Sequence, residues 1–317
     1  MLFDIPVLFI TYKRFRTAKK VFDVIKKVKP KKLYFASNSP PEKEFNKELS
    51  SVLKVRSLLN QINWKCKVEK IYHKKHLRVS KSIPKSVDIF FKKEKMGIIL
   101  EDDCLPSVDF FNFCRTMLKT YKNKNINAIC GSRFIREDSK KEIYFSKYNH
   151  AWGWATWRKS WEKFDPKIKF WKSFKKSKRW ISMSNGQERR YWEKIFDLTY
   201  KEKINTWDYA WTASAWYNRQ LSIIPPVNLI SNIGFGPDAT WTVKSKNNKA
   251  SNLKKMNKIK IKNYKIEQNL KYDNEVFLNH FKGNRQSLIM KTKDNLQLLI
   301  EDPKTFYLKA KRSLKND

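Results

Sequence analysis

The densest chemistry in the sequence lies at Gly97-Ile98-Ile99-Leu100-Glu101-Asp102-Asp103-Cys104-Leu105-Pro106, an apolar run that ends on three consecutive carboxylates. Adjacent anions repel unless a cation is shared. Hard oxygen donors select Mg2+ or Mn2+, which bind through one or two carboxylates and complete their shell with water and substrate phosphates. The alternative is a solvated acidic turn at a strand end. A second isolated carboxylate, Asp208, is the only acid from Lys203 to Pro237 and sits between Trp207 and Tyr209. Burial there raises a carboxyl pKa and suits a general base, although a helix cap after Thr206 would use the same residue. Glu188 and Asp238 are further candidates for the base.

Elements that could position these groups follow from periodicity. Pro6 to Tyr12 reads as a strand, and Ala18, Val21, Phe22 and Ile25 place a helix over Phe15 to Val28. Lys32 to Ala36, Trp64 to Tyr72 and Gly97 to Leu100 read as further strands separated by helical stretches. Such alternation predicts an α/β fold with a mostly parallel sheet. Ligands of such sheets bind beyond the carboxyl ends of the strands, so Tyr12 to Arg14, Ser37-Asn38 and Glu101 to Asp103 should be neighbours. The alternation fades from about Phe134, where His150-Ala151-Trp152-Gly153-Trp154-Ala155-Thr156-Trp157 is the densest aromatic cluster. Trp faces stack on sugars and also fill cores.

The strand with its acidic triplet resembles the variant DXD motif of GT-A glycosyltransferases related to N-acetylglucosaminyltransferase I. Trp152 to Trp157, Asn205 to Trp211 and Val227 to Gly236 extend the likeness to a bacterial family of sugar-nucleotide transferases, from about Pro6 to Thr242. The resemblance implies a Rossmann-like GT-A fold and a metal-assisted, inverting glycosyltransferase. A nucleotide sugar, UDP-linked by preference, would be the donor, and a lipooligosaccharide or polysaccharide the acceptor. It implies a domain over 1–242, with a nucleotide-sugar half at 1–133 and an acceptor half at 134–242, followed by a Lys-rich linker and extension over 243–317.

By the same resemblance Asp103 ligates the metal, Glu101 and Asp102 contact ribose or metal-bound water, and Thr11, Tyr12, Arg14 and Asn38 contact the nucleotide. Arg14 could equally be a solvated cation at a helix start. Asn38 stands where relatives carry Asp. Asp208 takes the place of the family's base, and Trp152 and Trp154 face the acceptor. In the loop Gly236 to Thr242, Trp241 replaces the relatives' His, and His280 is the candidate to compensate. Ser80 and Ser82 offer either phosphate contacts or a helix N-cap.

The net charge of +39, from 69 Lys and Arg against 30 Asp and Glu, attracts polyanions. Pro166 to Trp180 holds seven basic residues and no acid, and Val243 to Lys265 holds nine Lys and no acid, so peripheral contact with an anionic inner leaflet is a further expectation. Nucleic acid is not expected as a partner, because no helix-turn-helix, zinc-finger or RNP pattern occurs. A GT-A-like binding module without catalysis is the other alternative. The four Cys lack paired spacing, and no apolar run reaches membrane-spanning length, which predicts a cytoplasmic chain with reduced thiols.

Overall fold

A computed structural model describes residues 2–135, 142–183, 186–234, 252–256 and 264–281. The first half alternates as periodicity predicts: β1 (Val7–Thr11), α1 (Phe15–Val28), β2 (Lys32–Ser37), α2 (Phe45–Arg56), β3 (Lys67–Tyr72), α3 (Val79–Lys93), β4 (Met96–Glu101), β5 (Cys104–Pro106), α4 (Val108–Thr120) and β6 (Ile126–Cys130). The second half contributes β7 (Tyr144–Ser146), β8 (Trp154–Trp157), α5 (Arg158–Trp161), α6 (Trp171–Phe174), α7 (Lys178–Ser182), α8 (Gly186–Tyr200), α9 (Asp208–Tyr217), β9 (Leu221–Ile224), β10 (Ile230–Asn232) and α10 (Leu270–Asn279).

Eight strands form one sheet in the order β3-β2-β1-β4-β8-β6-β9-β7. β3, β2, β1 and β4 are mutually parallel. β8 is antiparallel to both β4 and β6, and β9 runs parallel to β6. Only β7 and β8 therefore oppose the common direction, and the fold is α/β and Rossmann-like with a mostly parallel sheet. The period of two explains the layers. Val7 and Phe9 of β1, with Ile98 and Leu100 of β4, pack beneath α1 and α4. Leu8 and Ile99 face the other way, onto Val87 and Phe90 of α3. α1 buries Ala18, Val21, Phe22 and Ile25, one helical stripe, and ends at Lys29 in the left-handed region.

A third core lies off the sheet, where Trp171, Trp180, Trp192, Phe196, Trp216 and Phe277 interlock α6 to α10. α9 runs between this core and the sheet: Trp211 packs on the sheet side, and Ala213 and Trp216 face the other helices. Residues 252–256 and 264–281 pack on the same body: the Lys254 N–H donates to the Asn228 carbonyl at 3.0 Å and α10 buries Val276 and Phe277. The expected linker and extension over 243–317 includes α10 among its described residues. β8, from the stretch 134–242, is inserted between β4 and β6 of the first stretch, so the two share one sheet. No helix among the described residues is long and apolar enough to cross a membrane.

Candidate active site at the carboxyl edge of the sheet

β1 and β4 are adjacent and parallel, with Ile10 opposite Glu101, so their following loops emerge side by side. That register brings the acidic triplet to Tyr12 and Arg14. The Tyr12 N–H donates to Asp102 Oδ2 at 3.1 Å. The Arg14 guanidinium bridges Asp102 and Asp103, reaching Asp103 Oδ2 at 2.9 Å. Burial alone would lower the Arg14 pKa, yet Asp102 and then Asp103 hold it above its ordinary value. Burial pushes the Asp102 carboxyl up to about 6 against the opposing pull of Arg14.

Glu101 has the more extreme setting. Burial, then Asp103, Asp102 and Asp208, push its carboxyl well above the usual range, with Arg14 opposing. The Asp208 charge, at the first turn of α9, is among those that raise the Glu101 pKa. Burial also raises the Asp208 pKa, partly offset by the Thr206 hydroxyl, which donates to Oδ1. Asp102 and Asp103 thus share a single guanidinium with Glu101 beside them, an arrangement that favours an added cation. Their hard oxygens fit Mg2+ or Mn2+. Among the described residues no three acidic, His or Cys side chains converge as a complete ligand set, so substrate oxygens and water would complete the shell.

Gly234 is a site residue that sequence reasoning missed. The β5–β10 pair, with Cys104 opposite Asn232, places it against Asp103, and the Ile233 N–H donates to the Asp103 carbonyl at 2.8 Å. A Cβ on Gly234 would lie 2.3 Å from Asp103 Oδ2 and 2.9 Å from Arg14 Nη1. The glycines of the Ile233 to Gly236 segment were the available signal, but only strand pairing reveals which one meets the carboxylate. Asn205 is another: its Oδ1 accepts from the Ser80 N–H at 3.3 Å, tying the loop before Asp208 to the start of α3.

Several expected contacts have other partners. Thr11 donates its hydroxyl to the Ala36 carbonyl at 2.9 Å and is buried between β1 and β2. Asn38 clamps two loops, donating to the Leu77 carbonyl at 2.8 Å while its Oδ1 accepts from Ser39 and Leu77 N–H groups. The Tyr12 hydroxyl donates to Glu48. α3 starts with Arg78 at its N-cap, so neither Ser80 nor Ser82 caps it through a side chain.

Trp154, expected at an acceptor surface, is fully buried among Trp161, Trp207 and Trp211, its ring centroid 4.2 Å from that of Trp211. The reason is its place in a central strand covered on both faces. Trp152 is half-buried, with its ring centroid 5.4 Å from Phe134. Glu188 is not poised as a base. It is buried with Lys147 Nζ at 2.8 Å and accepts from the Tyr148 hydroxyl. His280 stacks on Phe134 at 3.8 Å, and burial lowers its pKa to about 4. Asp238 and Trp241 lie outside the described residues.

No protein-family model matches the chain, and no curated protein matches it. Among solved structures, similarity is found to the inositol-1-phosphate CTP transferase of T. maritima, with 10% identity and a TM-score of 0.37 over 77% of this chain and 93% of that one. A UDP-glucose pyrophosphorylase complexed with UDP-glucose matches at 9% identity and a TM-score of 0.33, over 74% and 94% of the two chains. The 4-diphosphocytidyl-2C-methyl-D-erythritol synthase of Anaerococcus prevotii matches at 9% identity and 0.32, over 62% and 83%. Likeness at this level assigns no activity to the present chain. These findings do correct the expectation of a GT-A glycosyltransferase in cell-surface glycan biosynthesis, since the matching structures are named for nucleotidyl transfer and pyrophosphorolysis. Transfer from a UDP-sugar donor to a glycan or glycolipid acceptor is accordingly withdrawn.

Proposed function

We propose that the cleft binds a nucleoside triphosphate through a divalent cation, Mg2+ or Mn2+, and passes its nucleotidyl group to a phosphorylated sugar. The observation that carries the cation is the run Glu101, Asp102 and Asp103 at one strand end, with the Arg14 guanidinium bridging the last two. A phosphorylated second substrate suits the strong positive charge of the chain better than a neutral glycan does.

Asp103, with side-chain oxygens at the cleft, and Glu101 would hold the cation, while Arg14 would turn from the carboxylates towards phosphate oxygens. When bound, the cation supplies Lewis-acid stabilisation of the departing pyrophosphate. The sugar-phosphate oxygen attacks the α-phosphorus, the bond from that phosphorus to the bridging oxygen breaks, and pyrophosphate leaves with the electron pair. The attacking phosphate is already ionised at neutral pH, so the step needs no general base. Asp208 then helps position the cation or the second substrate.

The test is pyrophosphate release from each nucleoside triphosphate with a panel of sugar 1-phosphates and Mg2+ or Mn2+. We expect one pair to turn over, and Asp103→Ala to remove both turnover and metal-dependent stabilisation by nucleotide. The proposal fails if no pair releases pyrophosphate, or if a chelator leaves nucleotide binding to the native chain unchanged.

A further inference from the structure

A basic site lies at the other end of α9. Asp208 opens that helix and Tyr217 closes it, a separation of about 14 Å along the axis at 1.5 Å per residue. Around Tyr217 a surface cavity of about 370 Å³ is lined by Ser173, Phe174, Ser177, Arg179, Tyr217 and Arg219. The Arg179 guanidinium lies 4.5 Å from the Phe174 ring centroid and 5.5 Å from that of Tyr217. Its Nη2 donates to the Tyr217 carbonyl at 2.7 Å and so caps the end of α9. Capping leaves Nε unused: that N–H is buried and has no hydrogen-bond partner.

Arg219 follows the helix in the left-handed region at φ 56° and is exposed. Neither guanidinium is ion-paired with an acid among the described residues. Burial and then the Arg219 charge hold Arg179 below its ordinary pKa, so the two cations are close enough to repel. Ser173 and Ser177 direct their hydroxyl protons to the carbonyls of Phe170 and Phe174, at 2.9 and 2.7 Å. Apart from the Tyr217 hydroxyl, the free donors of the cavity are therefore cationic, and two of its lining side chains are aromatic.

We propose that this cavity binds the phosphate dianion of a small phosphate monoester between the Arg179 and Arg219 guanidiniums, with the ester group over Phe174 and Tyr217. Two unpaired guanidiniums match a dianion, and planar guanidinium donors are suited to phosphate oxygens. The cavity volume falls in the range of small-molecule sites. This inference is independent of the reading given to the carboxylate cleft, from which the site is remote.

Phenyl phosphate, inorganic phosphate and phenylsulfonate are the probes, titrated calorimetrically into the full chain, with the Arg side-chain N–H resonances followed by NMR. Phenyl phosphate should bind most tightly and should shift the Arg179 Nε–H signal. Inorganic phosphate should shift the same signal more weakly, which separates recognition of the free ion from recognition of the ester. Arg219→Gln replaces an exposed side chain and should weaken phenyl phosphate at least about tenfold with an unchanged circular dichroism spectrum. Lys176→Gln, a nearby exposed change of equal charge, should alter binding less than about twofold. Equal losses in the two variants, no preference for phosphate over sulfonate, or an unmoved Arg179 signal would each overturn the proposal.

Discussion

Replacing Gly234 with Ala tests the cleft through its geometry without removing any functional group. The added Cβ would sit 2.8 Å from Asp103 Cβ as well as 2.3 Å from Oδ2. Rotation of the carboxylate could relieve the second contact but not the first. The backbone cannot retreat freely, because the Ile233 N–H to Asp103 carbonyl bond of 2.8 Å and the β5–β10 ladder hold the two segments together. Overpacking of this kind costs about 1–3 kcal/mol. For a body of 150 to 250 residues each kcal/mol shifts Tm by about 2–4 °C, so a loss of about 2–12 °C is expected. The Asp103–Arg14 contact at 2.9 Å must open at the same time, so metal-dependent nucleotide affinity should fall at least about tenfold, or 1.4 kcal/mol. The assay is thermal melting with and without Mn2+ and nucleotide. A variant that melts less than about 2 °C below the native chain, the smallest shift the assumed cost permits, and keeps the full metal-dependent gain would refute the argument.

Two further predictions follow from buried charge. Burial and acidic neighbours raise the Glu101 pKa, and burial raises Asp102 and Asp273 to about 6 each. Carboxyls raised in the folded state contribute stability that is present below their unfolded pKa of roughly 4 and lost as pH rises through the folded value. Burial holds His73, His150 and His280 below their usual pKa, which acts in the opposite sense as pH falls, so the difference between variants is the readout. Glu101→Gln should raise Tm at pH 7.5 by a few degrees, with the gain shrinking as pH falls to 5, while reducing cation-dependent stabilisation; a gain that does not shrink, or a destabilised Glu101→Gln, would contradict this account. Glu188→Gln should behave oppositely, since it strands Lys147 in the helical core, where the loss of one partner of a buried pair costs about 3–5 kcal/mol. Its turnover per folded molecule should match the native value, and a selective loss of turnover with an unchanged melt would return Glu188 to the chemistry.

Local pattern carried the first half of the fold well. The helix read over Phe15 to Val28 has the observed bounds, and the apolar runs before Tyr12 and Glu101 are central strands whose neighbouring ends bring Arg14 to Asp102 and Asp103. The second half was less legible for a specific reason. Trp154-Ala155-Thr156-Trp157 is only four residues long and buried on both faces, so neither length nor alternation marks it as the strand between β4 and β6. Its aromatic residues therefore suggested a binding surface. Nor could spacing show that Lys147 and Glu188, 41 residues apart, neutralise each other.

The placement of Asp208 joins the two halves into one site. A carboxylate in the first turn of a helix is favoured by the helix dipole, so its position alone would be explained by stability. Its effect on Glu101 is harder to explain that way, because a further acid near the triplet raises the cost of ionising Glu101. The loop that delivers it is anchored on the opposite side of the cleft, through Asn205 to the Ser80 N–H of α3. Two elements remote in sequence are thus held so that like charges face one another. Such an arrangement persists where a cation relieves the repulsion during function, because Arg14 pairs with Asp102 and Asp103 and leaves Glu101 and Asp208 with no ion-pair partner among the described residues.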